Sequence, residues 1–190
     1  RTFNPYYVLV GQQLADDHVG MRVTMQYVLW DYFRELGEKH VGGHKVVRED
    51  EEGEEYDVHV GERLRKLLHM ARAYGYWIAR GALTLLVLKT VDFTALHEAG
   101  TLFLQHLLLH TFLMSQTRLP MLTPRARQNL LRAPSQVDRE RIEQLLVRGT
   151  VGQPRLAQGL FVFCHMHLPR ETLATLLGDE AIVRRLEWTV

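Results

Sequence analysis

Leu64, Leu67, Leu68, Ala71, Tyr74 and Ile78 recur at spacings of three and four, and nothing in the chain constrains its fold more. Such a stripe is continuous along one face of an α-helix and scattered over both faces of a strand. The same period appears earlier in Met25, Val28, Leu29, Tyr32 and Leu36, and before that in Tyr7, Val10, Gly11 and Leu14. The pattern predicts a first helix from Pro5 to about His18. Asn4 opens it as N-cap, Pro5 suits the first helical position, and Gly20 closes it. A second helix begins near Met21, with Arg22, Asp31, Arg34 and Glu35 expected to face water. Two helices on so short a link form an αα-hairpin, the unit of helical-repeat folds.

The composition then changes. GEKHVGGHKVVREDEEGEEYD is Gly-rich and acidic with little apolar periodicity, and reads as a mobile surface loop. The long third helix follows it, to about Arg80. ALTLLVLKTVDF is apolar enough for a buried strand, yet no second strand lies nearby to pair with it, so a short helix is the better assignment. Further helices are expected over Ala95–Met114, from Thr123-Pro124 to Leu131, over Val137–Arg148, over Pro154–Leu168 and over Pro169–Gly178, with Asp179 capping a last one. The fold class that follows is all-α, with helical hairpins stacked in sequence as a HEAT-like α-solenoid.

Of 190 residues, 46% are hydrophobic, enough to fill a core. The single cysteine, Cys164, excludes an internal disulfide framework and a site built from Cys ligands alone, and fits a reducing compartment. The most apolar run, GTLFLQHLLLHTFLM, is too short and too often interrupted to span a bilayer, so no membrane association is expected. Net charge is only +1, but it is unevenly spread, with 12 basic and 14 acidic residues up to Ala95 against 11 and 8 from Leu96 onward. Arg118, Arg125, Arg127 and Arg132 lie between Ser115 and Ser135 with no acid among them. Joined by Arg139 and Arg141, they form the candidate RNA-binding set, because guanidinium is suited to bidentate phosphate contact. The competing assignment is a solvated helix face partly neutralised by Asp138, Glu140 and Glu143, and no aromatic residues interleave as single-strand platforms require.

Catalytic constellations are sparse. His106 and His110 sit four apart on a predicted helix, as two metal ligands would, and a helical metal-dependent enzyme is the alternative function they suggest. No Glu follows His106 as a zinc-protease helix requires, and the simpler assignment is a pair of packing histidines. Cys164, His165 and His167 form a second cluster, in a segment apolar enough that Cys164 reads as a small core residue. His40 and His44 flank Gly-Gly, and Glu49–Asp57 is acidic, but neither has the ligand order of a metal loop. There is no GxxxxGK loop and no GxSxG elbow. The chain is therefore expected to be a binding protein, not an enzyme, with no cofactor.

TFNPYYVLVGQQL followed by TMQYVLWDYFRELG resembles the second half of an MA-3 domain, a helical-repeat module of translation and RNA-processing scaffolds. The motif residues are Asn4, Pro5, Tyr6 and Tyr7, then Gln26, Tyr27, Trp30, Asp31, Phe33 and Arg34. The chain is most similar to the nucleolar family that carries a MIF4G domain followed by an MA-3 domain. LKTVDFTALHEAGTLFLQHLLLH and RLAQGLFVFCHMHL resemble later helices of that family, whereas the acidic insertion is longer than its pattern and Ser115–Arg155 does not align. The resemblance implies residues 1–114 as the second half of an MA-3 domain with an acidic loop at 38–57, and 115–190 as a C-terminal helical extension. It implies a nuclear, nucleolar scaffold of the early small-subunit pre-ribosome, needed for small-subunit rRNA processing. Its partners would be pre-ribosomal assembly factors, pre-rRNA and a DEAD-box RNA helicase of the initiation factor 4A class, the last gripped mainly by an upstream domain. Asn4, Pro5, Tyr7, Asp31 and Arg34 are then mainly architectural, with Trp30, Tyr6 and Tyr7 expected as core anchors. The chain has no initiator Met, so it is expected to be part of a longer protein, its first hairpin packed on a preceding helix.

Overall fold

A computed structural model describes residues 3–43, 58–116, 138–178 and 183. Among them the chain is all-α, with seven α-helices and no strand. The helices are α1 (Pro5–Asp17), α2 (Val19–Glu35), α3 (Val58–Ala79), α4 (Glu98–Ser115), α5 (Arg139–Thr150), α6 (Pro154–His167) and α7 (Arg170–Leu177). The helix expected from Thr123-Pro124 and the one capped by Asp179 lie outside the described residues.

The predicted start of α1 holds. Asn4 Oδ1 accepts the Tyr6 N–H at 3.0 Å, and Pro5 occupies the first turn. Its end differs from expectation. His18 alone, extended at φ −134°, reverses the chain, and its N–H still reaches Leu14 O at 2.9 Å. Gly20 therefore lies inside α2 and stops nothing.

At the end of α2 the chain forms a Schellman turn. Gly37 adopts φ +101°, its N–H reaches Arg34 O, and the Glu38 N–H reaches Phe33 O, both at 3.0 Å. A left-handed residue closes such a turn, and glycine adopts that conformation without a Cβ penalty. The turn aims Glu38 inward, where it is buried; the sequence had placed it in the solvated acidic stretch. Its Oε1 accepts the His97 N–H at 2.8 Å, and Gly100 has no side chain to obstruct the carboxylate. His97 makes no side-chain cap of its own, so a residue 59 positions away satisfies an orphan amide at the start of α4.

α3 is the central element. α2 runs antiparallel to it, with Lys66 Nζ on Glu35 at 2.6 Å near one end and Tyr74 Oη donating to Met25 O at 2.7 Å near the other. α1 follows α3 in the same direction, with Phe3 against His69 and Trp77 Nε1 donating to Val8 O at 2.9 Å. α4 makes the most extensive pairing, crossing Gly75 at Leu107–Thr111. The single stripe predicted for α3 becomes, in its second half, burial of Ala71, Ala73, Tyr74, Tyr76 and Ile78, because neighbours cover several sides, while Leu64 is exposed.

ALTLLVLKTVDF holds one 3-10 turn at Leu85–Leu88 within an otherwise irregular connection, and α4 starts at Glu98, not Ala95. That connection seats the later helices. α5 packs on the 3-10 turn where Gly149 meets Leu85, and α6 packs where Gly159 meets Phe93, whose ring also stacks edge-on against Phe163 at 6.0 Å. Gln105 Nε2 donates to His167 O at 2.7 Å and ties α6 back to α4.

Candidate functional site

The motif residues of α2 form a structural node. Trp30 is 7% exposed, and its Nε1 donates to Val87 O at 2.8 Å across 57 positions. Arg34 pairs with Asp31, and its Nε donates to Val41 O at 3.1 Å, so the guanidinium is largely covered and not free in water as expected. Gly42 sits over Arg34 and Trp30 at φ +83°, and its N–H is received by Thr90 Oγ1 at 3.1 Å. The Trp-Asp-x-x-Arg pattern thus clamps the 3-10 turns Val41–Gly43 and Leu85–Leu88 against α2. Trp30 is the core anchor expected of it.

Tyr6 and Tyr7 are not. They are 65% and 76% exposed, because α1 buries Val8, Gly11 and Ala15 instead of Tyr7, Val10 and Leu14. A Cβ at Gly11 would fall 2.8 Å from the Trp77 ring, so this glycine decides which side of α1 faces α3. The displaced apolar residues lie at i, i+3 and i+7 along the outer side of α1, and exposed Val19, Val23 and Tyr27 follow at i, i+4 and i+8 on α2. Val28, expected in the core, is also exposed. Each helix of the first hairpin therefore carries a row of exposed apolar side chains at helical spacing.

The histidine and cysteine clusters come apart. The His106 and His110 rings stack at 6.3 Å, and burial holds His106 below the usual imidazole range, so the pair is packed side by side. Among the described residues no group of three His, Cys, Asp or Glu is placed to hold a metal ion. Cys164 points into the core, His165 lies parallel to Phe161 at the surface, and His167 tilts onto Phe163 at 4.8 Å. Burial pushes the Cys164 thiol up to about 12. The folded thiol thus keeps its proton where an unfolded one ionises, so from the ordinary thiol range up to about pH 12 the folded state binds more protons and stability falls as pH rises. In native protein at neutral pH, Cys164 is expected to resist maleimide labelling and to react fully only in denaturant; rapid native labelling would show that the thiol is not where the core places it.

Of the candidate RNA-binding arginines, Arg118, Arg125, Arg127 and Arg132 lie outside the described residues, as does the side chain of Arg139. Arg141 is engaged, its Nε with Asp138 at 3.2 Å and its Nη1 with Ser115 O at 3.3 Å, while Asp138 Oδ1 caps α5. Gln116 and Asp138 bond to each other twice, at 2.7 and 3.2 Å, so the basic stretch between them leaves and returns at one place. That place borders a cleft of about 370 Å³ between the ends of α3 and α4, the Gly81–Leu85 turn and α5. Arg80, Arg141 and Arg148 line it together with Ile78, Leu83 and Leu145. Arg80 and Arg148 were not singled out from sequence, where each is an isolated cation and only Arg148's spacing of seven from Arg141 hints at a shared face.

Comparison with known proteins gives a partial likeness. Over 104 residues, 55% of this chain, it is 27% identical to Suppressor of glycerol defect protein 1 of Schizosaccharomyces pombe. The match spans 12% of that protein. No family model matches the chain. No solved structure matches it either. Among the described residues no helix is long and apolar enough to cross a membrane.

Proposed function

We propose that the chain is a non-enzymatic scaffold of the early small-subunit pre-ribosome, a member of the nucleolar MIF4G/MA-3 family acting in small-subunit rRNA processing. The observation that carries this reading is the exposed apolar residues of the first hairpin, Tyr7, Val10 and Leu14 on α1 and Val23 and Tyr27 on α2. Helices braced by long-range side-chain bonds hold these residues in a fixed arrangement, which suits docking more than enclosing a reaction. The Asn-Pro-Tyr-Tyr and Trp-Asp-x-x-Arg motifs support the family assignment. Pre-ribosomal assembly factors are the partners in this reading. The DEAD-box helicase of the initiation factor 4A class belongs chiefly to an upstream domain.

Crosslinking with mass spectrometry on particles purified through the full-length protein tests it. Crosslinks from this region to small-subunit assembly factors are expected. In the doubly substituted Val10→Asp, Val23→Asp protein, those from the first hairpin should disappear while the helical circular dichroism of the purified protein persists. Recovery of no ribosomal precursor would overturn the assignment.

A further inference from the structure

The cleft between the ends of α3, α4 and α5 has a charge the scaffold reading does not use. Arg141, Gln144, Leu145, Arg148 and Gly149 line it from α5 at i, i+3, i+4, i+7 and i+8, a single helix face. The opposite wall brings Arg80, at the end of α3, with Thr84 and Ser115, the latter's hydroxyl already donating to Phe112 O at 2.7 Å. No aspartate or glutamate is among the described lining residues. On the first turn of α5, Asp138 pairs with Arg141 and Glu140 accepts the Gln144 amide at 2.9 Å.

The carbonyl ends of α3 and α4 also point to this region, and they account for part of the arginine cluster. Arg141 answers Ser115 O, and Arg80 lies over the Tyr76 ring at 5.6 Å. Arg148 is different. Among the described residues it makes no hydrogen bond or ion pair, although two further guanidiniums line the same small space. Arg148 thus brings to the cleft a charge that no described acid pairs with, and an anion there complements it. The close approach of Gly149 to Leu85, where a Cβ would fall 2.7 Å from the leucine side chain, holds α5 against the wall and fixes the width.

The geometry points to a phosphate-binding cleft, with Arg148 as the principal ligand and Thr84 and Gln144 as supporting donors. Guanidinium forks match phosphate oxygens bidentately, and hydroxyl and amide groups complete such a shell. The phosphate can belong to an RNA backbone or to a free phosphorylated small molecule. This assignment stands apart from the pre-ribosomal reading, because the cleft can be tested without any particle.

The test compares the intact protein with Arg148→Gln and, as a control of equal charge loss outside the cleft, Arg155→Gln. Inorganic pyrophosphate is titrated by calorimetry at low salt, and a labelled single-stranded oligouridylate by fluorescence anisotropy across a salt series. Arg148→Gln should weaken pyrophosphate about tenfold or more, while Arg155→Gln leaves it near the unsubstituted value. If the source is RNA, the oligouridylate also weakens and its salt slope falls by about 0.7, and pyrophosphate competes with it. Pyrophosphate binding with no effect of Arg148→Gln on RNA assigns the cleft to a free phosphorylated molecule. No measurable pyrophosphate binding, or equal loss in both variants, overturns the site.

Discussion

Trp30→Ala is expected to be the most damaging single substitution in the first hairpin, lowering unfolding free energy by about 3–5 kcal/mol. The ring is nearly fully buried and meets Tyr27 edge-on at 5.4 Å. Its loss opens a cavity and also strands Val87 O, whose partner is the indole N–H. Trp30→Phe separates the two effects, keeping most of the ring while leaving the carbonyl unpaired, for about 1–3 kcal/mol. Urea unfolding followed by circular dichroism checks both. A Trp30→Ala loss below about 1 kcal/mol would remove Trp30 from the role of anchor.

Two glycines of the same helix should respond with opposite sign to the same substitution. A Cβ at Gly75 would lie 2.8 Å from His110 Cβ and 2.8 Å from Leu107 O, with Thr111 N at 3.0 Å. Two of those three atoms are backbone, which cannot swing aside, so α3 and α4 must separate. Overpacking of this kind costs about 1–3 kcal/mol and outweighs the roughly 0.5–1 kcal/mol that alanine contributes in a helix. Gly61 has nothing within 4 Å. Gly61→Ala should therefore stabilise by up to about 1 kcal/mol, and Gly75→Ala should destabilise. If both substitutions stabilised the protein, the close α3–α4 crossing would be wrong.

What could be read along the chain was local. Asn4-Pro5 opened α1, the three-and-four spacing located the helices to within a few residues, and the lack of a partner strand excluded a sheet, because each rests on contacts within one turn of backbone. Capping was legible only where the capping residue is near. Asn4 serves α1 from two residues away, but Glu38 serves α4 from 59, and sequence separation says nothing about that.

Which face of a helix turns inward was a matter for the neighbours. Tyr7, Val10 and Leu14 form an apolar stripe as good as the buried one, and only the fit of Gly11 to Trp77 decides between them. The arginine assignment shows the same division. A run without acids was visible as Arg118 to Arg132, yet the cleft brings together Arg80 and the α5 pair Arg141 and Arg148 from two separate stretches of chain. The sequence by itself determined that this protein is helical and roughly where the described helices lie, since backbone hydrogen bonding and side-chain periodicity are short-range. Tertiary structure alone decided that Trp30 reaches Val87, that Trp77 reaches Val8, and that Arg80 meets Arg141 and Arg148 at one cleft. The physical reason is that those outcomes depend on packing between segments 57 and 69 positions apart, where shape complementarity selects among several apolar faces the chain presents as equals.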